Sequence, residues 1–360
     1  MAVGFRNILR DMKYRVIQWA TGNVGRAALR AVAKHPELEL VGLLVYDPAK
    51  QGLDAGELCK LDPLGVQASC DVDEILALDA DCVLHMPLPS ARGTQDPDRD
   101  LRDLCRILAS GKNAITTVGY VYPRVYGSEV VERLEKACAE GGSSIHGTGV
   151  NPGWLAELLP LTASALSARI DRIHVLESTD FSFYPSPDVI FGLMGLGTAP
   201  AAFEEQVGSY RRWLSGLFRE SLELLADGLA LRLDAVEEDF ELARAEQSFE
   251  IAAGRIEQGS VAAQRFEWRG MAAGTARIVF EAVYRARRDV APDWPAPGCA
   301  IRIDGRPRMR FELEESWISN ALAATALHAV HAVAPVCRAE PGIRSFLDLP
   351  LITGRHSVGA

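Results

Sequence analysis

Several features that would define other classes of protein are missing from this 360-residue chain. Its formal net charge is −10, so no basic excess is available to neutralise nucleic-acid phosphates. No basic stretch suits an anionic membrane surface. Metal-ligand spacings and the G-x-S-x-G motif of a serine nucleophile are also absent. We therefore expect no nucleic-acid partner, no membrane partner, no metal ion and no acyl transfer.

Paired cysteines and an export signal are missing too. The cysteine count is seven, an odd number, and Cys82, Cys105 and Cys138 lie among apolar residues as buried thiols would. A reducing cytoplasm fits this usage best. The start, "MAVGFRNILRDMKYR", is too polar for a secretory signal, and we expect a loose extension. The late run "ALAATALHAVHAVAPVC" predicts a buried helix rather than a membrane span.

Residues 14–150 alternate short apolar runs with amphipathic stretches. We predict five strands, which are Val16–Ala20, "LELVGLLVYD", "DCVLHMPLP", "NAITTVG" and "SSIHGTG". The helices between them include Gly25–Lys34, "DLRDLCRILASG" and "SEVVERLEKACAEGG", the last with Ser128 as N-cap. This alternation predicts an α/β fold with a Rossmann-like, doubly wound parallel sheet over residues 1–150.

The pattern changes after residue 150. We predict a helix with Asn151 as N-cap and Pro152 at its first position, the strand "DRIHVLEST" and a long helix within residues 200–228. Alternating strands follow over residues 230–312, with a hairpin turn at Asp304–Gly305. Residues 151–313 thus read as a second α+β domain with a mixed or antiparallel sheet. Residues 314–360 read as a tail whose helix, from about Ile318 to Val333, packs back on the first domain.

The glycines that follow the first strand indicate a dinucleotide site. Ala20, Gly22 and Gly25 fit the G-x-G-x-x-G spacing, with alanine in the first place. Gly22 would admit a pyrophosphate to the backbone, and Gly25 would let the helix pack on the strand. Free N–H groups around Thr21, Asn23 and Val24 would bind the phosphates. The alternative is a glycine turn that binds nothing.

The end of the second strand bears on the choice between NAD and NADP. Asp47 follows Gly25 by 22 residues, where an acid binds the adenosine ribose hydroxyls and favours NAD. Lys50 could instead meet a 2′-phosphate, and Tyr46 could stack on adenine. Asp47 and Pro48 could also simply make a turn. The cofactor is therefore NAD or NADP.

Ligands of open α/β sheets lie at the carboxyl ends of the strands. Met86 and Pro87 would border the nicotinamide, while Thr116 and Thr117 would face its carboxamide. Asn151 could do the same, although an N-cap role would also explain it.

With these residues in place, the chain resembles the dihydrodipicolinate reductase-like oxidoreductases. "TTVG" stands where the reductase has a nicotinamide-binding Gly-Thr-Thr-Gly, and "GTGVNPG" stands where it has Ala-x-Asn-Phe. The whole chain is more similar to the 2,4-diaminopentanoate dehydrogenase and native amine dehydrogenase branch, through "WATGNVG", "LLVYDPAKQGLDAGEL", "GTGVNPG" and "RSFLDLPLITGR".

Two departures from these families matter. The reductase's catalytic histidine pair and its lysine segment are missing, because the matching stretch reads "LESTDFSFYPSPDVIFGLMGLG". The acidic residues that bind the substrate amine in the diaminopentanoate branch are replaced by Val118 and Gly119, with Tyr120 beside them. The resemblance thus implies NAD(P)-dependent hydride transfer without naming the substrate.

Candidates for the catalytic groups come from two places. Tyr120 follows a strand end near the expected nicotinamide and could donate a proton, or could only pack. Glu177, Asp180 and Tyr184 lie on the stretch that carries catalytic groups in the related reductase, although Asp180 could belong to a solvated loop. His146 and His85 could relay protons but are more typical of structural histidines.

We therefore predict an NAD(P)-dependent oxidoreductase that moves a hydride between nicotinamide and a C=O or C=N group, or the corresponding alcohol or amine. The small substrate would bind between the domains. An amine dehydrogenase with Glu177 as its carboxylate is one alternative, and a non-catalytic NAD(P)-binding regulator is another. The expected exposed sheet face and the resemblance also suggest a homodimer.

Overall fold

The computed structural model describes residues 13–90, 96–314 and 316–359, so most of the predicted N-terminal extension lies outside the described residues. The chain forms two compact units. The first unit comprises Met1–Pro89, Arg99–Val150 and Ala321–Ala360, and the second unit comprises Ser90–Asp98 and Asn151–Asn320. All seven cysteines have free thiols; Cys82 and Cys138 are buried, and Cys105 is half-buried.

A seven-stranded parallel sheet forms the centre of the first unit. Its strands are β1 (Tyr14–Trp19), β2 (Leu38–Leu44), β3 (Ala68–Ser69), β4 (Cys82–His85), β5 (Asn113–Thr116), β6 (Ser144–Gly147) and β15 (Gly342–Ile343). Their order is β15-β6-β5-β4-β1-β2-β3, so the chain reverses its direction of winding at β1 and β4. The predicted Rossmann-like sheet is confirmed, and its switch point places the ligand-binding edge at the ends of these two strands.

Amphipathic helices cover this sheet. They are α1 (Asn23–Lys34), α2 (Ala55–Cys59), α3 (Val72–Ala77), α4 (Arg99–Ala109) and α5 (Ser128–Gly141). In α4, Leu101, Leu104 and Leu108 recur at helical spacing and are buried in the core. The N-cap prediction for Ser128 is wrong, because Gly127 is the N-cap and Ser128 is the first helical residue.

The C-terminal helices α8 (Ser316–His331) and α9 (Val333–Cys337) follow the second unit's sheet. Ala329, Val330 and Val336 are buried, whereas Leu322 and Leu327 are exposed, so the predicted burial holds along one side. By length and composition alone, Ser319–Cys337 could cross a membrane; the core helix of a soluble protein meets the same criterion.

The second unit is built on a mixed six-stranded sheet, as predicted. The strands are β7 (Arg169–Asp180), β8 (Ala235–Arg244), β11 (Val261–Ala272), β12 (Thr275–Arg285), β13 (Gly298–Arg306) and β14 (Met309–Leu313), in the order β14-β13-β7-β12-β11-β8. Strands β9 (Phe249–Ile251) and β10 (Gly254–Ile256) pair separately. Helix α7 (Phe203–Gly228) covers one face, where Phe218 stacks on Trp268 with ring centroids 4.3 Å apart.

The helix predicted at Asn151 begins later than expected. Within Val150–Leu158, Asn151, Pro152 and Gly153 are not helical, and helix α6 (Leu159–Ser164) continues the segment. Asn151 has extended dihedrals (φ −152°, ψ 104°), as the residue before a proline prefers. Its predicted N-cap role, and that of Pro152 as first helical residue, are therefore wrong.

The hairpin turn predicted at Asp304–Gly305 is also wrong. Ile303 pairs with Met309, so five residues lie between this pair, and the first two of them, Asp304 and Gly305, still pair with β7 across a register shift. A Cβ on Gly305 would lie 2.0 Å from the Arg169 carbonyl oxygen. The glycine thus serves a bulge with close backbone approach rather than a turn.

Candidate functional site

The loop after β1 has the geometry of a dinucleotide-binding turn. Ala20 adopts φ +77°, a left-handed conformation that explains why this motif usually has glycine in its first place. The buried Gln18 side chain donates from Nε2 to the Ala20 carbonyl at 3.0 Å and holds the turn. A Cβ on Gly25 would lie 2.2 Å from that same carbonyl oxygen, so only glycine allows α1 to pack this closely on β1.

At Gly22, unlike Gly25, the space that a side chain would occupy is open. The Gly22 φ of −67° suits any residue, and no described atom lies within 4 Å of the position of a Cβ. Neither backbone strain nor packing within the chain accounts for glycine there. Gly22 is also the N-cap of α1 and has no side chain to accept from the first-turn N–H groups. The loop therefore fits a pyrophosphate that approaches the backbone.

The end of β2 offers polar groups to the adenosine side of such a ligand. Asp47 is exposed, and its Oδ1 accepts from the Ala49 N–H at 3.0 Å. This oxygen therefore serves the turn that was the alternative prediction for Asp47 and Pro48. The Lys50 ammonium points to the glycine loop and donates to Thr21 Oγ1 at 3.3 Å.

Tyr46 can offer its ring to a ligand at this edge, because its hydroxyl is already hydrogen-bonded within the protein. Its hydroxyl accepts from Trp19 Nε1 at 2.8 Å and donates to Asp103 at 3.1 Å, while the Arg99 guanidinium lies 5.1 Å from the ring centroid. Burial and the charge of Asp103 raise the pKa of this hydroxyl. Tyr46 as a whole is 45% exposed and keeps surface available for stacking.

The ends of β4 and β5 are joined by hydrogen bonds. His85 is fully buried, and its Nδ1 lies 3.0 Å from Thr116 Oγ1. The N–H of Thr117 donates to the His85 carbonyl, and that of Met86 donates to the Trp19 carbonyl. Burial lowers the pKa of His85 to about 4, so its ring is neutral near pH 7, as a structural histidine would be. Met86 and Pro87 are both buried, and Leu88 is the first exposed residue after them.

Tyr120 lies on the loop after β5 in a strained conformation. Its φ is +61°, and its backbone crowds Gly147, whose Cβ would lie 2.3 Å from the Tyr120 carbonyl. The Tyr120 ring centroid lies 5.7 Å from that of Tyr126. A bulky residue held in the left-handed region is uncommon and recurs at functional sites.

His146 and His328 are neutral histidines of the first unit. His146 Nδ1 bonds the Arg344 carbonyl at 2.8 Å, and His328 Nδ1 bonds Thr148 Oγ1 at 2.7 Å. Burial lowers the pKa of each to about 4. They tie the C-terminal segment to the end of β6.

Glu177 and Asn151 form a side-chain pair in the second unit. Asn151 Nδ2 donates to Glu177 Oε2, and Asn151 Oδ1 has no partner among the described residues. Burial raises the pKa of Glu177, although the bond from Asn151 opposes the shift. The same sheet face holds Cys299, opposite Glu177 in β13, whose thiol pKa is raised to about 12 by burial and by the Glu177 charge. A carboxyl group whose pKa is raised in this way can bind a cation or exchange a proton.

The remaining predicted residues of this stretch, Asp180 and Tyr184, lie at the end of β7 and in the loop after it. Asp180 accepts from the Ser182 N–H at 2.8 Å, and the Tyr184 N–H donates to the Phe181 carbonyl at 2.9 Å. The Tyr184 ring packs edge-on against Phe181 and Phe183. Tyr120 belongs to the first unit, whereas Glu177 and Tyr184 belong to the second.

The sequence pattern missed a completely buried carboxyl group, Glu157. It is 0% exposed, and burial raises its pKa to about 8 against the bonds from Ser221 and Gly153. A glutamate in the first turns of a helix is ordinarily taken as a solvated residue, so only the proximity of Asn151 in sequence could have drawn attention to it.

These features define the class of the protein. A parallel sheet of Rossmann order ends in a glycine loop with an open backbone position, and the companion unit holds Glu177, a half-buried carboxyl group with a raised pKa. This combination is that of an NAD(P)-dependent oxidoreductase.

Comparisons with known proteins identify the family. Residues 155–357 match the family model of the 2,4-diaminopentanoate dehydrogenase C-terminal domain, and residues 16–93 match that of the dihydrodipicolinate reductase N-terminus. An amine dehydrogenase of Streptomyces virginiae is 35% identical over 93% of this chain and 96% of its own length. A 2,4-diaminopentanoate dehydrogenase of Acetoanaerobium sticklandii is 22% identical over 64% of each chain.

Solved structures agree on the fold. The amine dehydrogenase of Mycobacterium smegmatis superposes with a TM-score of 0.77 at 20% identity, over 96% of this chain and 98% of that one. A probable dehydrogenase of Thermotoga maritima gives a TM-score of 0.58 at 12% identity, over 93% and 92% of the two chains.

The chain belongs to the family of 2,4-diaminopentanoate dehydrogenase and amine dehydrogenase. It is an NAD(P)-dependent oxidoreductase with a small-molecule substrate. The predicted resemblance and enzyme class are confirmed, whereas nothing in these relatives favours a non-catalytic regulator.

Proposed function

We propose that the protein is an amine dehydrogenase that interconverts a small primary amine with the corresponding ketone or aldehyde and ammonia. In the oxidative direction, the substrate carbon loses a hydride and its nitrogen loses a proton. Water then replaces the nitrogen, which leaves as ammonia. A bound nicotinamide would supply the acceptor for this hydride, or its donor in the reverse direction.

The Glu177–Asn151 pair is the observation that carries this proposal. A carboxylate beside the reacting carbon binds the substrate ammonium and takes its proton, and a pKa raised by burial brings this base closer to neutral pH. Asn151 Oδ1, which has no partner among the described residues, offers an acceptor to the amine. Glu177 thus replaces the acids that the loop at Val118 and Gly119 lacks.

Roles for the two tyrosines and the strand ends complete the proposed site. In the first unit, Tyr120 is the candidate to donate a proton to a carbonyl oxygen as water leaves in the reductive direction, and in the second unit Tyr184 is a further candidate to contact the substrate. Thr21, Gly22, Asn23, Val24 and Gly25 hold the pyrophosphate. Met86, Pro87, Thr116 and Thr117 border the nicotinamide.

We further propose that NAD is the preferred cofactor. Asp47 is exposed at the end of β2, and its Oδ2 has no partner among the described residues. A carboxylate at this place accepts from the ribose hydroxyls and repels a 2′-phosphate. Lys50, which could offset that repulsion, donates to Thr21 instead.

The open face of the second unit's sheet supports a homodimer. Opposite α7, Arg265 bonds Glu281 at 2.8 Å and Glu241 at 3.2 Å, and Arg269 bonds Glu267 at 2.7 Å. Charges of both signs, arranged in this way, suit a self-complementary interface. Light scattering is expected to give twice the 39.1 kDa chain mass. The seven free thiols favour a cytoplasmic location.

Isotope labelling tests the central activity. Purified protein is incubated with NADH, ¹⁵N-ammonium and a panel of small ketones and aldehydes, and the products are analysed by mass spectrometry. The proposal expects ¹⁵N in the amine product and equal consumption of NADH. Formation of alcohol without nitrogen would make the protein a carbonyl reductase and would overturn the proposal.

A further inference from the structure

A buried glutamate connects the Asn151 segment to helix α7. Glu157 Oε2 accepts from the Gly153 N–H at 2.6 Å, and its Oε1 is hydrogen-bonded to Ser221 Oγ on α7. The side chain is completely buried, as is the neighbouring Glu220. An aliphatic residue would fill this space without desolvating a carboxyl group, so packing alone does not explain glutamate here.

Gly153 is the residue at which the chain turns from an extended segment into a helix. Its φ of +135° lies in the region that favours glycine, and Asn151 precedes it by two residues. The residues just before Gly153 are extended, so no preceding helical turn presents a carbonyl to its N–H. The Glu157 carboxyl group supplies that acceptor and is itself fixed by Ser221, 64 residues further along the chain.

We propose that Glu157 is a positioning residue: by binding the Gly153 N–H and Ser221, it fixes the Asn151 side chain against Glu177. The inference rests on the proposed function, because its catalytic consequence passes through the Glu177–Asn151 pair. Glu157 does not touch substrate or cofactor in this account.

The protonation of Glu157 agrees with this arrangement. Its raised pKa of about 8 means that the carboxyl group is largely neutral at pH 7. A neutral carboxyl group can donate to Ser221 Oγ while accepting from the Gly153 N–H. The Ser221 hydroxyl is then free to donate to the Leu217 carbonyl, 3.4 Å away. Glutamine can make the same bonds, whereas alanine can make none of them.

Variants at position 157 provide the kinetic test. Glu157→Ala is expected to lower kcat for amine oxidation at least tenfold, and Glu157→Gln is expected to recover most of that loss. NADH affinity is expected to stay within twofold in both, because the glycine loop belongs to the first unit. If Glu157→Ala does not fold, Glu157→Asp, which is one methylene too short to reach Gly153, replaces it.

A double-mutant cycle separates positioning from general stability. In an Asn151→Ala background, substitution of Glu157 is expected to change kcat by less than twofold, since the group it positions is gone. Additive losses in the double variant would overturn the proposal, as would an unchanged kcat in a folded Glu157→Ala or Glu157→Asp protein.

Amide hydrogen exchange tests the same inference without any activity. Peptides spanning residues 150–158 are expected to exchange at least tenfold faster in Glu157→Ala than in the wild type, and at the wild-type rate in Glu157→Gln. Equal exchange rates for these peptides in the wild type, Glu157→Ala and Glu157→Gln would overturn the positioning role. If the wild type oxidises no amine, the proposed function fails, but this measurement still decides whether Glu157 orders the segment.

Discussion

The carbonyl oxygen of Ala20 lies where a side chain on Gly25 would begin, 2.2 Å from the ideal Cβ position. Five residues earlier in the chain, Ala20 itself holds a left-handed conformation so that the turn can form. Packing within the protein therefore explains glycine at position 25. At Gly22, by contrast, the space that a Cβ would occupy is open.

The two glycines are expected to respond differently to alanine. Gly25→Ala forces helix α1 away from β1 and is expected to lower the free energy of unfolding by about 1–3 kcal/mol. Gly22→Ala is expected to change stability by less than about 1 kcal/mol, because its dihedrals and surroundings accept a methyl group. Gly22→Ala is nevertheless expected to weaken NADH binding at least tenfold.

Chemical denaturation and NADH fluorescence titration measure these two effects. Unchanged NADH affinity in Gly22→Ala would mean that no pyrophosphate contacts this position.

Asp47→Ala is expected to shift the cofactor preference toward NADPH. Removal of the carboxylate loses the ribose contact and relieves repulsion of the 2′-phosphate, so the ratio of the two dissociation constants should change at least tenfold. Separate titrations with NADH and NADPH measure it. Asp71→Ala serves as control, since Asp71 caps helix α3 instead. A wild type that prefers NADPH would contradict the proposed preference.

Stability should depend on pH through Glu157. Its folded pKa of about 8 lies above the ordinary value of 4.5, so folding favours the neutral form. This stabilisation is complete below about pH 4.5 and is lost as the pH rises through 8. Relative to Glu157→Gln, which cannot ionise, the wild type is expected to lose up to about 1.4 kcal/mol per pH unit in that window.

Urea denaturation of both proteins at several pH values measures the difference. Glu205→Gln removes an exposed carboxylate from the same helix as Ser221 and should show no such trend. A constant difference between wild type and Glu157→Gln would show that Glu157 is ionised throughout.

Arg285 is expected to stabilise the end of β12 through buried bonds. Its guanidinium donates to the Val290 carbonyl at 2.9 Å and to Ser178 Oγ at 2.8 Å, and it is 1% exposed. Arg285→Met leaves these acceptors buried without a donor and is expected to cost about 3 kcal/mol of unfolding free energy. Arg287→Met, which breaks a surface pair with Asp289, should cost less than about 1 kcal/mol. Equal losses would contradict this assignment.

The first unit was predictable because its signals are local. Hydrophobic runs bounded by glycine and proline marked β1, β2 and β4, and the spacing of Gly22 and Gly25 marked the loop. Asn151 was misassigned because an N-cap and a residue before proline share the same extended dihedrals. Asp304–Gly305 was misassigned because a bulge and a hairpin turn use the same residues.

Glu157 could not have been assigned from sequence. Its partner Ser221 is 64 residues away, and a helical pattern does not distinguish a glutamate that faces solvent from one that faces a bend in the chain. The pair of Glu177 with Asn151 is likewise a product of the tertiary fold, although both residues were candidates in the sequence.

The most direct test of the account compares Glu177→Gln with the wild type. For the amine that the wild type oxidises fastest, kcat for NADH formation is expected to fall at least a hundredfold, while the dissociation constant for NADH stays within twofold. Glu205→Gln, an exposed change in the same unit, should retain the wild-type rate. Undiminished amine turnover in Glu177→Gln would contradict the central claim that this carboxyl group receives the proton of the substrate amine.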